Sequence, residues 1–449
     1  MLFDEAYRYL LSLGHETLTI KLGLKNTERL LDALGNPHKD FPAVQIAGTN
    51  GKGSTAVMLE SICRAAGIRV GLFTSPHLIS ITERIRIGGE QVSAPEFARL
   101  TNQVKITAER LVAEGRLDAR PTFFEHVTAI ALLAFREAGV ELAILETGLG
   151  GRLDSTTAAG ANIVAITPIA MDHEDYLGQT LAEIAAEKAA IIRPAVTAIV
   201  APQPYEAREV ILQRCNDVAV IPRLAENEIE SCPLAIPMHR DSEPGRLFVT
   251  FETPNDRYES VLLGLRGRHQ IENAATAIAL AEALHERGFG ISREAIVSGV
   301  ETARHPGRLE IWPGAPRILF DGAHNPAAAR VLRSYLDEFV KEPATMVFGA
   351  MRDKDLSELA AILFPAAREL ILTQIENLRA ASLEMMKSAA SATFAGDAHE
   401  AASVKEALRI ARGITPADGI ICVTGSLYLV GEVQQVFRDE SLPVARQHA

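Results

Sequence analysis

A glycine-rich stretch near the start of the chain carries the first residues whose types and spacing predict chemistry. In residues 44–66, VQIAGTNGKGSTAVMLESICRAA, a short apolar run leads into glycines and then into a helical pattern. This order predicts a strand, a phosphate loop and a helix whose N-terminus faces an anion. Lys52 would add a positive charge for the outer phosphates of a nucleotide, and the Ser54 hydroxyl could reach them or a bound Mg²⁺. The predicted nucleotide contacts of the loop are Gly48, Thr49, Asn50, Gly51, Lys52, Gly53 and Ser54.

The loop departs from the usual Walker A spacing. The interval from Gly48 to the Gly51-Lys52 pair is shorter, and a further glycine separates the lysine from the first hydroxyl residue. Successive N–H groups of the loop are expected to face one anion, and Ser54 and Thr55 are expected to cap the helix. A glycine-rich turn that binds nothing is the alternative.

Three polar residues at the ends of predicted strands have types that suit a magnesium site. Ser75 follows IRVGLFT, Glu146 closes ELAILET, and His173 comes after NIVAITPI. Ligands of open α/β sheets bind outside the carboxyl ends of the strands, where these side chains would meet. Mg²⁺ keeps several waters and takes few protein ligands, although imidazole is a less usual one. The alternatives are a glycine-rich turn with an exposed acid at Glu146 and a solvated acidic loop at His173.

Two further clusters are candidates for chemistry. Lys188 lies in the apolar helical segment AAEKAAII, so it either extends to the surface or is buried with a function. In FDGAHNPAA, Asp321 and His324 follow a predicted strand, which makes contact with a nucleotide plausible. A capped turn between strand and helix is the alternative there.

The surrounding elements predict an α/β fold. Buried strands alternate with helices along the chain, which indicates a doubly wound, mostly parallel sheet with a phosphate loop, and shorter β runs from about 215 to 266 indicate a small antiparallel addition. A second alternation near the C-terminus, in which SATFA (391–395) is one predicted strand, indicates a Rossmann-like α/β domain. It lacks G-x-G-x-x-G, so NAD binding is disfavoured. The predicted division is a first domain at 1–300, a linker at 301–312 and a second domain at 313–449.

Composition limits the function classes. A chain of 449 residues is longer than one hydrophobic core usually supports, so two domains are expected. A net charge of −12 disfavours a general nucleic-acid-binding surface. The four cysteines are scattered without a C-x-x-C pair, which disfavours disulfides and a zinc cluster. No apolar run is long enough for a bilayer and the N-terminus lacks a basic signal region, so a cytoplasmic protein without membrane contact is expected.

Eight short motifs together resemble one known family. They are GTNGKGS at 48–54, TSPHL at 74–78, ETGLGGRLD at 146–154, DHEDYLG at 172–178, EKA at 187–189, HQIENA at 269–274, HPGR at 305–308 and DGAHNP at 321–326. In order and spacing they resemble the folylpolyglutamate synthase/dihydrofolate synthase family of the Mur ligase superfamily. The resemblance covers essentially the whole chain.

The resemblance implies an ATP-dependent, ADP-forming amide ligase. Such an enzyme has an N-terminal P-loop ATPase domain and a C-terminal Rossmann-like domain that closes over the site. It joins L-glutamate to dihydropteroate, to the γ-carboxylate of reduced folates, or to both, through an acyl phosphate, with ATP and Mg²⁺ as cofactors. A monomer is expected.

The resemblance also assigns roles to residues. Lys52, Lys188 and His173 are the implied catalytic residues, and Lys188 matches a carbamylated lysine. The implied Mg²⁺ ligands are Ser75, Glu146 and His173, and the implied nucleotide contacts outside the loop are Asn273, Arg308 and Asp321, beside His324. The implied pterin contacts are Thr122, Phe123, Phe124, Glu125, Leu153, Asp154 and Ser155. Ser155 stands where many relatives have alanine.

Other functions stay open at the level of sequence. A monofunctional folylpolyglutamate synthase fits the same motifs. A peptidoglycan Mur ligase is disfavoured by the TFFEH stretch and by the early phosphate loop, which leaves no distinct UDP-binding domain before it. A P-loop ATPase that is not a ligase is the remaining alternative.

Overall fold

The first half of the molecule is built on an eight-stranded sheet. The computed structural model describes residues 1–14, 23–117, 119–225, 245–341 and 344–441. The strands are β1 (Ala43–Ala47), β2 (Val70–Phe73), β3 (Ile85–Ile87), β4 (Glu90–Gln91), β5 (Leu142–Glu146), β6 (Ile163–Ile166), β7 (Thr197–Val200) and β8 (Arg223–Leu224). Their order is β4-β3-β2-β5-β1-β6-β7-β8, and only the pairs β2–β3 and β3–β4 are antiparallel. The predicted mostly parallel sheet is confirmed.

Helices cover both faces of this sheet. They are α1 (Phe3–Ser12), α2 (Lys25–Ala33), α3 (Lys52–Ala65), α4 (Ala94–Ala113), α5 (Phe123–Glu137), α6 (Glu174–Leu177), α7 (Leu181–Ala189), α8 (Tyr205–Asp217), α9 (His269–Glu286) and α10 (Arg293–Thr302). Side chains alternate along β1, so Val44 and Ile46 pack in one apolar cluster with α3, α9 and α10, while Ala43 and Ala47 join the cluster on the other face. None of the helices in the described residues is long and apolar enough to cross a membrane.

The antiparallel addition is a two-stranded ribbon of β9 (Phe248–Glu252) and β10 (Arg257–Leu262). The predicted β region began too early, because residues 215–217 still belong to α8. The part of that prediction that falls on 226–244 lies outside the described residues.

The second half has a six-stranded sheet. Its strands are β11 (Glu310–Trp312), β12 (Arg317–Phe320), β13 (Ala344–Phe348), β14 (Ala367–Thr373), β15 (His399–Ala401) and β16 (Ile420–Thr424), in the order β11-β12-β16-β13-β14-β15. Only β11 runs antiparallel to its neighbour. The helices are α11 (Pro326–Phe339), α12 (Leu356–Leu363), α13 (Leu383–Ser391), α14 (Val404–Ile414) and α15 (Leu427–Ser441). The predicted second α/β unit is confirmed.

Two predictions in this half need correction. SATFA is not a strand, because α13 runs to Ser391 and the Phe394 N–H donates to the Ala390 carbonyl at 2.8 Å, which continues the helical turn. The predicted linker at 301–312 is too long, since α10 ends at Thr302 and β11 begins at Glu310. Residues 303–309 make the connection between the two sheets, and the division into domains there stays a prediction.

Helix α10 lies directly against α3, the helix that follows the phosphate loop. A Cβ on Gly299 of α10 would overlap the backbone of Ile62 in α3, so the two helices touch there with no room for a side chain. The position of α3 therefore depends on a glycine more than 200 residues away in sequence.

We expect Gly299→Ala to destabilise the protein by about 1–3 kcal/mol, because overpacking costs this much in a tight core. The direction of the change in stability shows whether the two helices are in contact, since alanine at a helix position without a close neighbour would instead stabilise the protein by up to about 1 kcal/mol. Gly290→Ala is the matched control, because a Cβ there meets nothing within 4 Å. Urea unfolding of both variants checks the prediction, and it is wrong if Gly299→Ala is at least as stable as the control.

Candidate active site

The helix after the phosphate loop begins without a side-chain cap. Helix α3 starts at Lys52, and its N-cap is Gly51, whose φ of 86° lies in the left-handed region that favours glycine. The expectation that Ser54 and Thr55 cap this helix is wrong, because both residues lie inside its first turns. The first N–H groups of a helix have no intrahelical acceptor, so this end of α3 can donate hydrogen bonds to an anion.

The loop before the helix uses two of its N–H groups within the protein. The N–H groups of Thr49 and Asn50 both donate to the Pro168 carbonyl, each at 3.1 Å. These two donors are therefore used to fix the loop against the segment after β6. The expectation that successive loop N–H groups face one anion is therefore wrong for these two groups, and it stays a prediction for those at the start of the helix.

Two lysines share an acceptor in this loop. Lys52 Nζ donates to the carbonyl oxygens of Gly48 and Thr49, each at 3.0 Å, and Lys188 Nζ donates to the same Gly48 oxygen at 2.9 Å. Lys188 is only 4% exposed, so it is buried rather than extended to the surface. Burial, and then the charge of Lys52, lowers the pKa of Lys188 to about 7. Burial also lowers the pKa of Lys52.

The predicted metal ligands lie at the carboxyl edge of the sheet. Glu146 is buried, and its Oε2 accepts a hydrogen bond from the Ser75 N–H at 3.1 Å. Burial raises the pKa of Glu146, whereas the charge of Lys52 lowers it. Burial lowers the pKa of His173 to about 4, so its imidazole is neutral at pH 7. The described residues contain no group of three or more His, Cys, Asp or Glu side chains that could hold a metal by themselves.

The second sheet contributes the predicted nucleotide residues after β12. The Asp321 carboxylate is buried and accepts hydrogen bonds from the N–H groups of Leu309 and Ala323, each at 3.0 Å. Burial raises the pKa of Asp321, and the charge of Arg308 lowers it. His324 Nδ1 lies 2.7 Å from the Gly322 carbonyl oxygen.

Gln270 and His305 are site residues that the sequence analysis missed. The Ser54 hydroxyl lies 3.2 Å from His305 Nδ1 and accepts a hydrogen bond from Gln270 Nε2 at 3.4 Å. Gln270 also accepts a hydrogen bond from the predicted contact Asn273 at 2.9 Å. Both missed residues stand inside the motifs HQIENA and HPGR, so the signal was present in the sequence.

The predicted pterin residues form a separate region beside the loop. Thr122 and Glu125 cap the start of α5 reciprocally, with the Thr122 N–H donating to Glu125 Oε2 at 2.6 Å. Asp154 is buried and accepts hydrogen bonds from the N–H groups of Gly148 and Leu149 at 2.9 and 3.0 Å. Thr27 of α2 was not predicted, and its hydroxyl donates to Glu125 at 3.4 Å or to Ser155 at 3.3 Å.

One cavity of about 630 Å³ joins these regions between the two sheets. All predicted site residues line it except Phe123. The Phe123 ring instead packs in the apolar core, with the Arg84 guanidinium 5.3 Å from its centre, so the structure does not bring it to the cavity.

Family comparison matches both halves of the chain. The Mur ligase middle domain matches residues 46–281, and the Mur ligase glutamate ligase domain matches residues 307–427. The two halves of the chain therefore match two successive Mur ligase domains, which defines the class of protein.

Individual relatives show to which family of Mur ligases the chain belongs. The chain is 34% identical over 425 residues to the dihydrofolate synthase/folylpolyglutamate synthase of Bacillus subtilis, covering 94% of this chain and 96% of that protein. A solved structure of Escherichia coli FolC in complex with DHPP and ADP is 31% identical with a TM-score of 0.84, covering 98% of this chain and 99% of that one. The chain belongs to the folylpolyglutamate synthase/dihydrofolate synthase family.

One similar protein is much longer. The probable bifunctional folylpolyglutamate synthase/dihydropteroate synthase of Halobacterium salinarum is 35% identical over 435 residues, which cover 97% of this chain and 51% of that protein. The chain thus spans about half the length of this relative.

The buried amine of Lys188 makes stability depend on pH. Its folded pKa of about 7 lies below the ordinary value of 10.5, so between these values the unfolded state binds more protons and stability rises with pH. Lys188→Met removes this dependence. We expect its stability advantage over the native protein to be greatest at pH 6.5 and to shrink by about 1.4 kcal/mol per pH unit above pH 7.

Urea unfolding from pH 6.5 to 9.5 in buffer purged of CO₂ measures this difference. Lys405→Met is the control, because Lys405 is an exposed lysine in the first turn of α14. Parallel stability curves for the native protein and Lys188→Met would contradict a buried amine with a lowered pKa.

Proposed function

We propose that the chain is an ATP-dependent, ADP-forming ligase that joins L-glutamate to dihydropteroate, to the γ-carboxylate of reduced folates, or to both. The observation that carries the proposal is the cavity between the two sheets, which is lined by the phosphate loop, the carboxylate of Glu146 and the predicted pterin region. This arrangement suits a reaction in which a nucleotide phosphate is transferred to a neighbouring acid. The family membership supports the same activity.

The phosphate end of the cavity would hold ATP. The first N–H groups of α3 would bind its phosphates, and Lys52 would leave the loop carbonyls to neutralise charge on the transferring phosphoryl group. Residues of both halves surround this end, since Asn273 belongs to α9 while Arg308 and Asp321 flank the start of the second sheet. Binding of the nucleotide would therefore depend on both halves.

Ser75, Glu146 and His173 would hold Mg²⁺ beside the phosphates. The residues fit this ion, because a carboxylate and a hydroxyl are oxygen donors and the neutral imidazole has a free lone pair. Few protein ligands agree with an ion that keeps waters and nucleotide oxygens. When bound, the ion would neutralise charge on the phosphate oxygens.

The acid substrate would occupy the region of Thr122, Phe124, Glu125 and the segment Leu153–Ser155. A free carboxylate acylates amines poorly, so its phosphorylation to an acyl phosphate gives the glutamate amine a carbonyl that it can attack. Phosphate leaves and an amide remains. Enclosure between two sheets would protect the acyl phosphate from water.

Lys188 is proposed to carry a carbamate in the working enzyme. An amine with a pKa of about 7 is substantially neutral near pH 7, and the neutral form is the one that reacts with CO₂. The resulting anion beside Lys52 would replace repulsion between two ammonium groups with attraction.

The chain is also proposed to work as a monomer in the cytoplasm. Its own two sheets enclose the cavity, so no second copy is needed to complete it. Cys63, Cys215 and Cys422 are free and buried thiols, which agrees with a reducing compartment.

An assay of ADP release tests the proposed activity. With ATP, Mg²⁺ and L-glutamate present, we expect release to require an acid acceptor and to proceed with both dihydropteroate and tetrahydrofolate. Turnover of tetrahydrofolate alone would indicate a monofunctional folylpolyglutamate synthase. Turnover of a UDP-muramoyl acceptor, or ADP release without any acceptor, would refute the proposal.

Lys52→Ala should abolish ligation without unfolding the protein. Loss of one preorganised charge at the transferring group typically lowers kcat by about 100-fold to 1,000-fold. The exposed Lys405→Ala is the control and should leave kcat within a factor of two. Near-normal turnover of Lys52→Ala would remove the phosphate loop from the proposed mechanism.

A further inference from the structure

A buried carboxylate of the first half is bound mainly by residues of the second half. Asp172, just after β6, is 9% exposed in its side chain, and its Oδ1 lies 2.6 Å from Lys354 Nζ in the segment after β13. Its Oδ2 accepts a hydrogen bond from Asn325 Nδ2 at 3.2 Å and lies 3.7 Å from His324 Nε2. We call Asp172, His324, Asn325 and Lys354 the clasp.

The clasp pairs the carboxylate of Asp172, which lies where an unpaired charge would be costly. Lys354 pairs its charge with Asp172 at 2.6 Å, and Asn325 donates a hydrogen bond to the same carboxylate at 3.2 Å. A buried carboxylate is tolerated when it is paired and hydrogen-bonded, and removal of one partner is strongly unfavourable. Three of the four charged or polar groups around Asp172 reach it only when the two halves are together.

The clasp also reaches the phosphate loop. Asn325 is the N-cap of α11 and accepts a hydrogen bond from the Ala328 N–H at 2.9 Å. Its side-chain amide donates to Asp172 and also to Asn50 Oδ1 of the loop, at 3.1 Å. Since Asp321 lies four residues before Asn325, the same contacts set its distance from the loop.

We propose that Asp172 is a positioning residue, which through the clasp holds the second half closed over the phosphate loop. The inference goes beyond the proposed ligase activity, because it concerns how the two halves are held and not which substrates they bind. A carboxylate at this position makes a charged pair, a hydrogen bond and a contact with an imidazole at once, which an amide cannot reproduce.

The chain offers a matched control on its outer surface. Arg268, the N-cap of α9, donates three hydrogen bonds of 2.7–3.1 Å to Glu338 of α11, so this pair also joins the two halves. The side chains are 51% and 32% exposed, and such pairs contribute about 0–1 kcal/mol. Glu338→Gln therefore removes a charged contact between the same halves without touching the cavity.

Small-angle scattering in buffer without metal or nucleotide is the first arm of the test. We expect Asp172→Asn and Lys354→Met to increase the radius of gyration, because the halves separate, while Glu338→Gln matches the native protein. An unchanged radius in both clasp variants overturns the proposal. Because this arm needs no catalysis, it decides the question even if the chain proves not to be a ligase. If Asp172→Asn fails to fold, Lys354→Met tests the clasp from its other side.

ADP release with acid acceptor and glutamate is the second arm. A misplacement of about 1 Å costs about 100-fold in rate, so we expect Asp172→Asn to lower kcat by about this factor while its far-UV circular dichroism matches that of the native protein. The double variant Asp172→Asn/Lys354→Met should lose little beyond either single variant, because both break one contact. Fully additive losses, or a loss no greater than that of Glu338→Gln, would overturn the assignment.

Discussion

The carbonyl oxygen of Gly48 fixes how close the two lysine side chains of the site lie to each other. Lys52 and Lys188 both donate to it, which brings their two amines close together. Burial lowers the pKa of both lysines, and the charge of Lys52 lowers that of Lys188 further. The nearby carboxylates of Glu146, Asp154 and Asp172 offset part of the repulsion.

The sheet order explains why residues far apart in sequence meet at that point. Strands β5, β1 and β6 are central neighbours and run parallel, so the segments that follow them leave the sheet at one edge. Those segments carry the phosphate loop, the glycine-rich turn to Asp154, and the stretch from Pro168 to His173. The loop is then fixed by its neighbour, because Pro168 accepts two of its N–H groups. The sheet is thus the frame that sets distances within the site.

Much of this was predictable from the sequence, because buried strands and glycine turns leave local patterns. The apolar run before Gly48 and the polar residues at strand ends pointed to the cavity, since every predicted site residue except Phe123 lines it. Local sequence patterns gave wrong or incomplete predictions in two situations. In one, a short segment suits both a helix and a strand; in the other, the contacts of a residue come from distant parts of the chain. SATFA has strand-like residues, yet hydrogen bonds continue the helix before it. Phe123 shares a motif with Phe124 but points to the core, and the partners of Asp172 lie more than 150 residues away.

The connection at 303–309 is itself part of the cavity wall. His305 contacts Ser54 of the first half, whereas Arg308 lies against the strand end that carries Asp321. In a hybrid protein made by exchanging halves between relatives, only a crossover between His305 and Arg308 would leave both side chains with their own partners. A crossover before Ala303 would combine His305 of one parent with Ser54 of the other. A crossover after Leu309 would combine Arg308 of one parent with Asp321 of the other. Outside that interval, a hybrid should keep these contacts only when both parents share the same residues at the four positions.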